Sequence, residues 1–170
     1  MNEGEDRSMN DSTNNLQATV EKLMARVEEL ESRSEIKDLV IDYCVGFDSK
    51  NWDRFMAIWH KDAVWEIGPP FGTFSGHEGI SKALHEVLEP AWRETHHISS
   101  NIQIEFLDAN NARGSSDVDC MGANKNDVVQ MVNATYQDEY QRRNGVWKIA
   151  RRVVTMHYFN AIPGLEMSAP

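Results

Sequence analysis

The hydrophobic period of this chain changes once, near Thr95, from the 3.6 of a helix to the 2 of a strand, and it does not change back. Downstream, Ile98 to Phe106, Arg113 to Met121, Val128 to Tyr140 and Val146 to Phe159 alternate apolar and polar residues as strands do. Between them stand Asp108-Ala109-Asn110-Asn111, Ala123-Asn124-Lys125-Asn126 and Asn144-Gly145, the last a strong hairpin signal. Upstream, Ile36, Leu39, Val40, Tyr43 and Phe47 keep helical spacing, with Cys44 beside the stripe and Ser34 placed to cap the run. Asp48 or Ser49 caps a second helical run through Trp52, Phe55, Met56 and Trp59. Two short strands, Ala63 to Ile67 and Thr73 to Ser75, flank the turn Gly68-Pro69-Pro70-Phe71-Gly72. A third helix, opened by Ser75 or Gly76, buries Ile80, Leu84, Val87 and Leu88 and is limited by Pro90. Helices first and a meandering sheet afterwards make the chain α+β rather than α/β. The expected form is a cone-shaped α+β barrel, a strongly curved antiparallel sheet covered by about three helices, with tryptophans and phenylalanines lining its interior.

Ahead of that domain, Leu16, Val20, Leu23, Val27 and Leu30 recur at spacings 4, 3, 4 and 3, the a/d seam of a heptad repeat. The segment either packs on its own domain or joins subunits; roughly two heptads do not decide it. The expected organisation is disorder over 1–12, an N-terminal amphipathic helix over 13–33, the main domain over 34–160 and an extended tail over 161–170.

Acidic residues exceed basic ones by 27 − 17 = 10, and residues 1–35, with nine acids and four bases, hold half of that excess. Such a surface repels phosphate backbones and anionic lipid, so nucleic acid and membranes are not expected partners. No run approaches the ~18 apolar residues of a membrane span. The start is acidic and polar rather than a signal peptide, and Cys44 and Cys120 are isolated, so reduced thiols in a cytoplasmic protein are expected.

Phosphate loops, nucleophile elbows, dinucleotide fingerprints and metal motifs are absent from the sequence, so no cofactor is expected and the remaining chemistry is acid–base. His96 and His97 are adjacent and on a strand face opposite ways, so they cannot share a metal. Asp48 stands among Phe47, Trp52 and Phe55. On the residues alone it is either a helix cap or a carboxylate facing an apolar cavity, where burial makes a usable base. His97 is equally a buried histidine bonded to backbone. Strict alternation also sets it on the face opposite Ile98, Ile102, Ile104 and Phe106, unless Ser99-Ser100-Asn101 bulges and changes the parity. Tyr43 and Arg152 carry no signal by themselves. Asp117 and Asp119 alternate with Ser116, Val118 and Cys120 and fall on the outer face.

The runs Tyr43-x4-Asp48-Ser49-Lys50-Asn51-Trp52-Asp53-Arg54, Ile58-Trp59-x2-Asp62-Ala63-x-Trp65, Glu94-Thr95-His96-His97-x3-Asn101 and Asp138 to Lys148 resemble the SnoaL-like branch of the nuclear transport factor 2-like superfamily. The resemblance covers roughly residues 34–160. It implies that His97 takes a proton beside a leaving group, that Asp48 orients His97 and stabilises its imidazolium, and that Arg152 serves the pocket. Trp65, Cys120, Tyr136 and Met156, with Cys44, fall at substrate-lining positions. Dehydrochlorinases of this kind carry a lysine where this chain has Tyr43; bile-acid dehydratases carry the tyrosine, a neutral donor suited to oxygen. The resemblance therefore implies a cofactor-independent lyase of dehydratase type, acting on a small apolar, aromatic or polycyclic, oxygenated molecule. An isomerase or cyclase, a dehydrochlorinase, a carbon–carbon lyase and a non-catalytic binding or assembly module use the same scaffold. A homo-oligomer, dimer or trimer, is also implied.

Overall fold

The computed structural model describes residues 3–164, with side chains from residue 13. The chain divides into two units, one ending at Glu35 and one beginning at Ile36. The elements are α1 (Glu3–Asp48), α2 (Trp52–Ala57), β1 (Trp59–Gly68), β2 (Gly72–Ser75), α3 (Gly76–Lys82), a π-helical continuation Ala83–Leu88, a single turn α4 (Glu89–Ala91), β3 (Trp92–Phe106), β4 (Asn111–Asn124), β5 (Val129–Arg143) and β6 (Val146–Ala161).

α1 is one unbroken helix of 46 residues. The break expected at Ser34 is absent, and the helix takes in residues 3–12 of the segment expected to be disordered. No proline interrupts Glu3 to Asp48, and serine inside a helix costs only tenths of a kcal/mol. A helix once nucleated propagates through such a stretch. Residues 1–2 and the tail beyond residue 164 lie outside the described residues.

Within the second unit, Ile36, Leu39, Val40, Tyr43, Cys44 and Phe47 are buried, as their spacing predicts. α1 ends at Asp48, and the chain turns through Lys50, whose φ is +54°. The cap of α2 is Asn51, whose side chain accepts from the Arg54 N–H at 3.0 Å. Asp48 is therefore not a cap. α2 stops at Ala57, so Trp59 opens β1 instead of closing the helix.

The six strands run in the order β2-β1-β6-β5-β4-β3. All neighbours are antiparallel except β1 and β6, which pair in parallel. The sheet is thus mixed, where an antiparallel one was expected. β1 precedes the helical segment and β6 closes the chain, so no hairpin dictates their relative direction. One face of the sheet, with α2, α3 and the part of α1 from Ile36 onward, encloses a core rich in aromatic rings: Phe47, Phe55, Trp59, Trp65, Trp92 and Trp147 are all buried.

The parity of β3 is reset where the sequence allowed it. Pairing with β4 slips between Ser100 and Gln103, and Asn101 takes φ +51°. Before the slip Thr95, His97 and Ser99 are the more buried side chains; after it Ile102, Ile104 and Phe106 are. The bulge puts His97 on the inner face together with the downstream apolar residues. Ile98, expected among those, is 61 per cent exposed.

Candidate active site

Asp48 is an acid in the last turn of a helix, where the macrodipole opposes negative charge. Three donors hold it there. Its Oδ1 meets His97 Nδ1 at 2.5 Å and accepts from Thr95 Oγ1 at 2.8 Å, while Oδ2 accepts from the His97 backbone N–H at 2.7 Å. Burial pushes the carboxyl up, but the bonds from the His97 ring, the His97 N–H and Thr95 outweigh it and hold Asp48 below the usual carboxylate range. It is an anion at neutral pH. With Nδ1–H turned to that anion, the neutral imidazole keeps its lone pair on Nε2. Thr95 escaped the sequence reading, although its position two residues before His97 on one strand puts both side chains on the same face.

His97 lines a cavity of about 100 Å³ together with Tyr43, Trp65, Cys120, Tyr136 and Met156. All six were singled out from sequence, and the structure brings them together. Apart from Thr95 the rest of the wall is apolar and includes Phe47, Phe71, Trp92 and Phe159, in keeping with the expected aromatic lining. Phe159 stacks on Trp92 at 6.1 Å and lies 6.3 Å from Phe71, so the far end of β6 meets the start of β3 over the cavity. A larger, more polar groove of about 500 Å³ runs along Gln103, Glu105, Arg113, Gln137 and Glu139, outward-facing positions of the sheet, away from His97.

Three of the expected residues do not line the cavity: Asp48 stands behind His97, Cys44 is buried beside it, and Arg152 lies beneath the wall. Arg152 is fully buried and pairs bidentately with Asp138, Nε to Oδ1 and Nη2 to Oδ2, both at 2.7 Å. Its guanidinium carbon is 4.4 Å from the Tyr43 ring centre and 4.2 Å from that of Tyr136. Burial works against its charge, and the Asp138 carboxylate more than offsets this, so Arg152 stays cationic. Tyr140 donates to Asp138 Oδ2 at 2.7 Å and completes the carboxylate's shell. Arg152 reaches the cavity only as a positive charge under two aromatic faces.

Tyr136 donates to the Tyr43 hydroxyl at 3.3 Å, and burial pushes the Tyr43 phenol up to about 12. Both phenols are neutral donors at physiological pH. Burial pushes Cys120 up to about 12 and Cys44 to about 11, so neither thiol is a nucleophile there. The described residues hold no group of three His, Cys, Asp or Glu side chains able to bind a metal ion, and none of their helices is long and apolar enough to cross a membrane. An imidazole lone pair, the Tyr43 phenol edge-on beside it with ring centres 6.0 Å apart, and a largely apolar lining suit proton abstraction from carbon with departure of a neighbouring group.

The model of the SnoaL-like domain matches residues 28–153. Hexachlorocyclohexane dehydrochlorinase 1 of Sphingobium indicum is 36 per cent identical over 149 residues, 86 per cent of this chain and 96 per cent of that protein. A crystal structure of LinA superposes with a TM-score of 0.81 at 33 per cent identity, covering 85 per cent of this chain and 99 per cent of that one. A putative scytalone dehydratase from Novosphingobium aromaticivorans, at 22 per cent identity over 83 per cent of this chain and 94 per cent of its own, shares the fold with a TM-score of 0.73.

Proposed function

The chain belongs to the SnoaL-like domain family and is an enzyme of lyase type, and from that premise we propose that it eliminates water, without a cofactor, from a small and largely apolar ring compound. The contact of Asp48 with His97 carries this reading, because it leaves His97 Nε2 as the basic lone pair on the cavity wall. In the proposed reaction Nε2 takes a proton from carbon, a carbon–carbon double bond forms, and the bond from the adjacent carbon to oxygen breaks. Asp48 and the negative end of α1 stabilise the imidazolium that results. The imidazolium then returns its proton to the departing hydroxyl, and water leaves. Tyr43, pushed up to about 12, is too weak an acid for that step and serves as a neutral hydrogen-bond donor to the oxygen.

The cavity sharpens the substrate class. An apolar protein cavity of roughly 150 Å³ holds benzene, and this one is about 100 Å³. That supports a small substrate rather than the polycyclic skeleton that was one of the expectations.

The second reading is loss of hydrogen chloride, favoured by the 36 per cent identity to a dehydrochlorinase. It needs the same base but no proton for the leaving group, so chloride and the His97 proton depart together. Tyr43 weighs against it, since a phenol stabilises a departing chloride less than an ammonium does. The two readings separate on the purified chain, offered a cyclic β-hydroxy ketone and γ-hexachlorocyclohexane in parallel. Dehydration is expected to be the faster reaction, and Tyr43→Lys to move the preference towards halide release. Chloride release alone, unaffected by that substitution, overturns the dehydratase reading.

A further inference from the structure

Residues 16–30 form a stretch of α1 whose apolar line lies bare. Leu16, Val20, Leu23, Val27 and Leu30 are between 45 and 65 per cent exposed. Their spacings place them at heptad positions d, a, d, a and d. Valine therefore occupies both a positions and leucine all three d positions. A β-branched residue at a with leucine at d is the combination that suits two parallel strands. Glu21, Lys22, Glu28 and Glu29 fall at b and c, the solvent side of such a pair.

The flanking charges choose the direction. Arg26 stands at g and Glu31 at the following e. In a parallel, in-register pair those two positions face each other across the seam, twice by symmetry. In an antiparallel pair g faces g and e faces e. The g residues Thr19, Arg26 and Arg33 include no acid, and the e residues Gln17, Met24 and Glu31 include no base. No antiparallel register supplies an attractive pair.

We propose that residues 16–30 dock against the same segment of a second copy of this chain, as a short parallel two-stranded coiled coil. The seam is roughly 21 Å long, from a rise of about 1.5 Å per residue. An isolated peptide of that length is a marginal helix. Here it is carried inside a helix that continues to Asp48, so docking need not nucleate it. Leu16, Val20, Leu23 and Val27 precede the segment matched by the SnoaL-like domain, and Leu30 falls within it.

Single substitutions Leu16→Cys and Leu30→Cys in the full chain, mildly oxidised and run without reductant, test it. The two native cysteines are buried and give little background. Each variant alone is expected to convert nearly all chains to a covalent two-chain species, because d positions of an in-register pair lie within disulfide reach. Adding Leu23→Lys is expected to abolish the cross-link while the circular dichroism of the folded chain is kept, since Leu23 is exposed in the single chain. Cross-linking no greater than in the wild-type chain overturns the proposal. So does cross-linking only when the two variants are mixed, which marks an antiparallel pair. A ceiling near two-thirds of chains, which marks a three-stranded bundle, also overturns it.

Discussion

Asp48 has no free oxygen to act as a base itself: both are engaged, by the His97 ring, the His97 N–H and Thr95. In the proposed reaction it is a positioning residue, whose effect runs through His97. Asp48→Asn is therefore expected to lower kcat strongly, while adding it to His97→Gln costs little more, as for residues that act as a unit. Kinetics of the two single variants and the double variant check this; additive losses contradict it. The same bonds make Asp48 a source of stability with a defined pH range. Its folded pKa is depressed, so its contribution is complete above the unfolded value of about 3.9 and is lost as pH falls through the folded value. Urea melts of the wild-type and Asp48→Asn chains should differ at about pH 5 and above and converge only below about pH 4. Tyr43→Phe removes a neutral donor from the cavity, for which a loss of roughly 10²-fold in kcat is expected in the elimination assay.

At the scale of elements, α1 and α2 approach so closely that a Cβ on Gly46 would lie 2.9 Å from the Phe55 nitrogen and 3.1 Å from its Cα. Those are backbone atoms and cannot swing aside. Gly46→Ala is expected to cost about 1–3 kcal/mol in denaturant unfolding and to loosen Asp48, two residues on. The helical stripe from Ile36 to Phe47 and the four long strands were legible in the sequence because local period alone specifies them. The parallel pairing of β1 with β6 was not, since it joins segments more than 80 residues apart and leaves no local mark. His97 stood between the two cases. Strict alternation sets it on the wrong face, and only the bulge between Ser100 and Gln103 turns it inward. Resemblance singled out Asp48, but nothing local separated a carboxylate held by three donors from a helix cap. Phe71, Trp92 and Phe159 come from a turn and from strand ends, where residue type carries little information.

For the whole molecule, the buried pair of Arg152 and Asp138 joins β6 to β5 directly beneath the cavity wall. Its net worth against apolar replacements is small, but removing one partner strands a buried charge. Arg152→Met is expected to cost about 3–5 kcal/mol of stability, and Arg152→Met with Asp138→Leu to recover much of it; equal losses in both contradict the reading of Arg152 as a buried, charge-paired prop. The fold thus sets a buried cation under the Tyr43 and Tyr136 rings, while the Asp48 carboxylate at the end of α1 holds the His97 ring that the proposed reaction uses as its base. The most direct check of this arrangement is the turnover of His97→Gln on whichever ring compound the wild-type chain consumes, with the thermal melt recorded alongside. A fall in kcat of about 10²-fold or more, with the melt unchanged, is the expected result. Near-normal turnover by His97→Gln would contradict the assignment of His97 as the base.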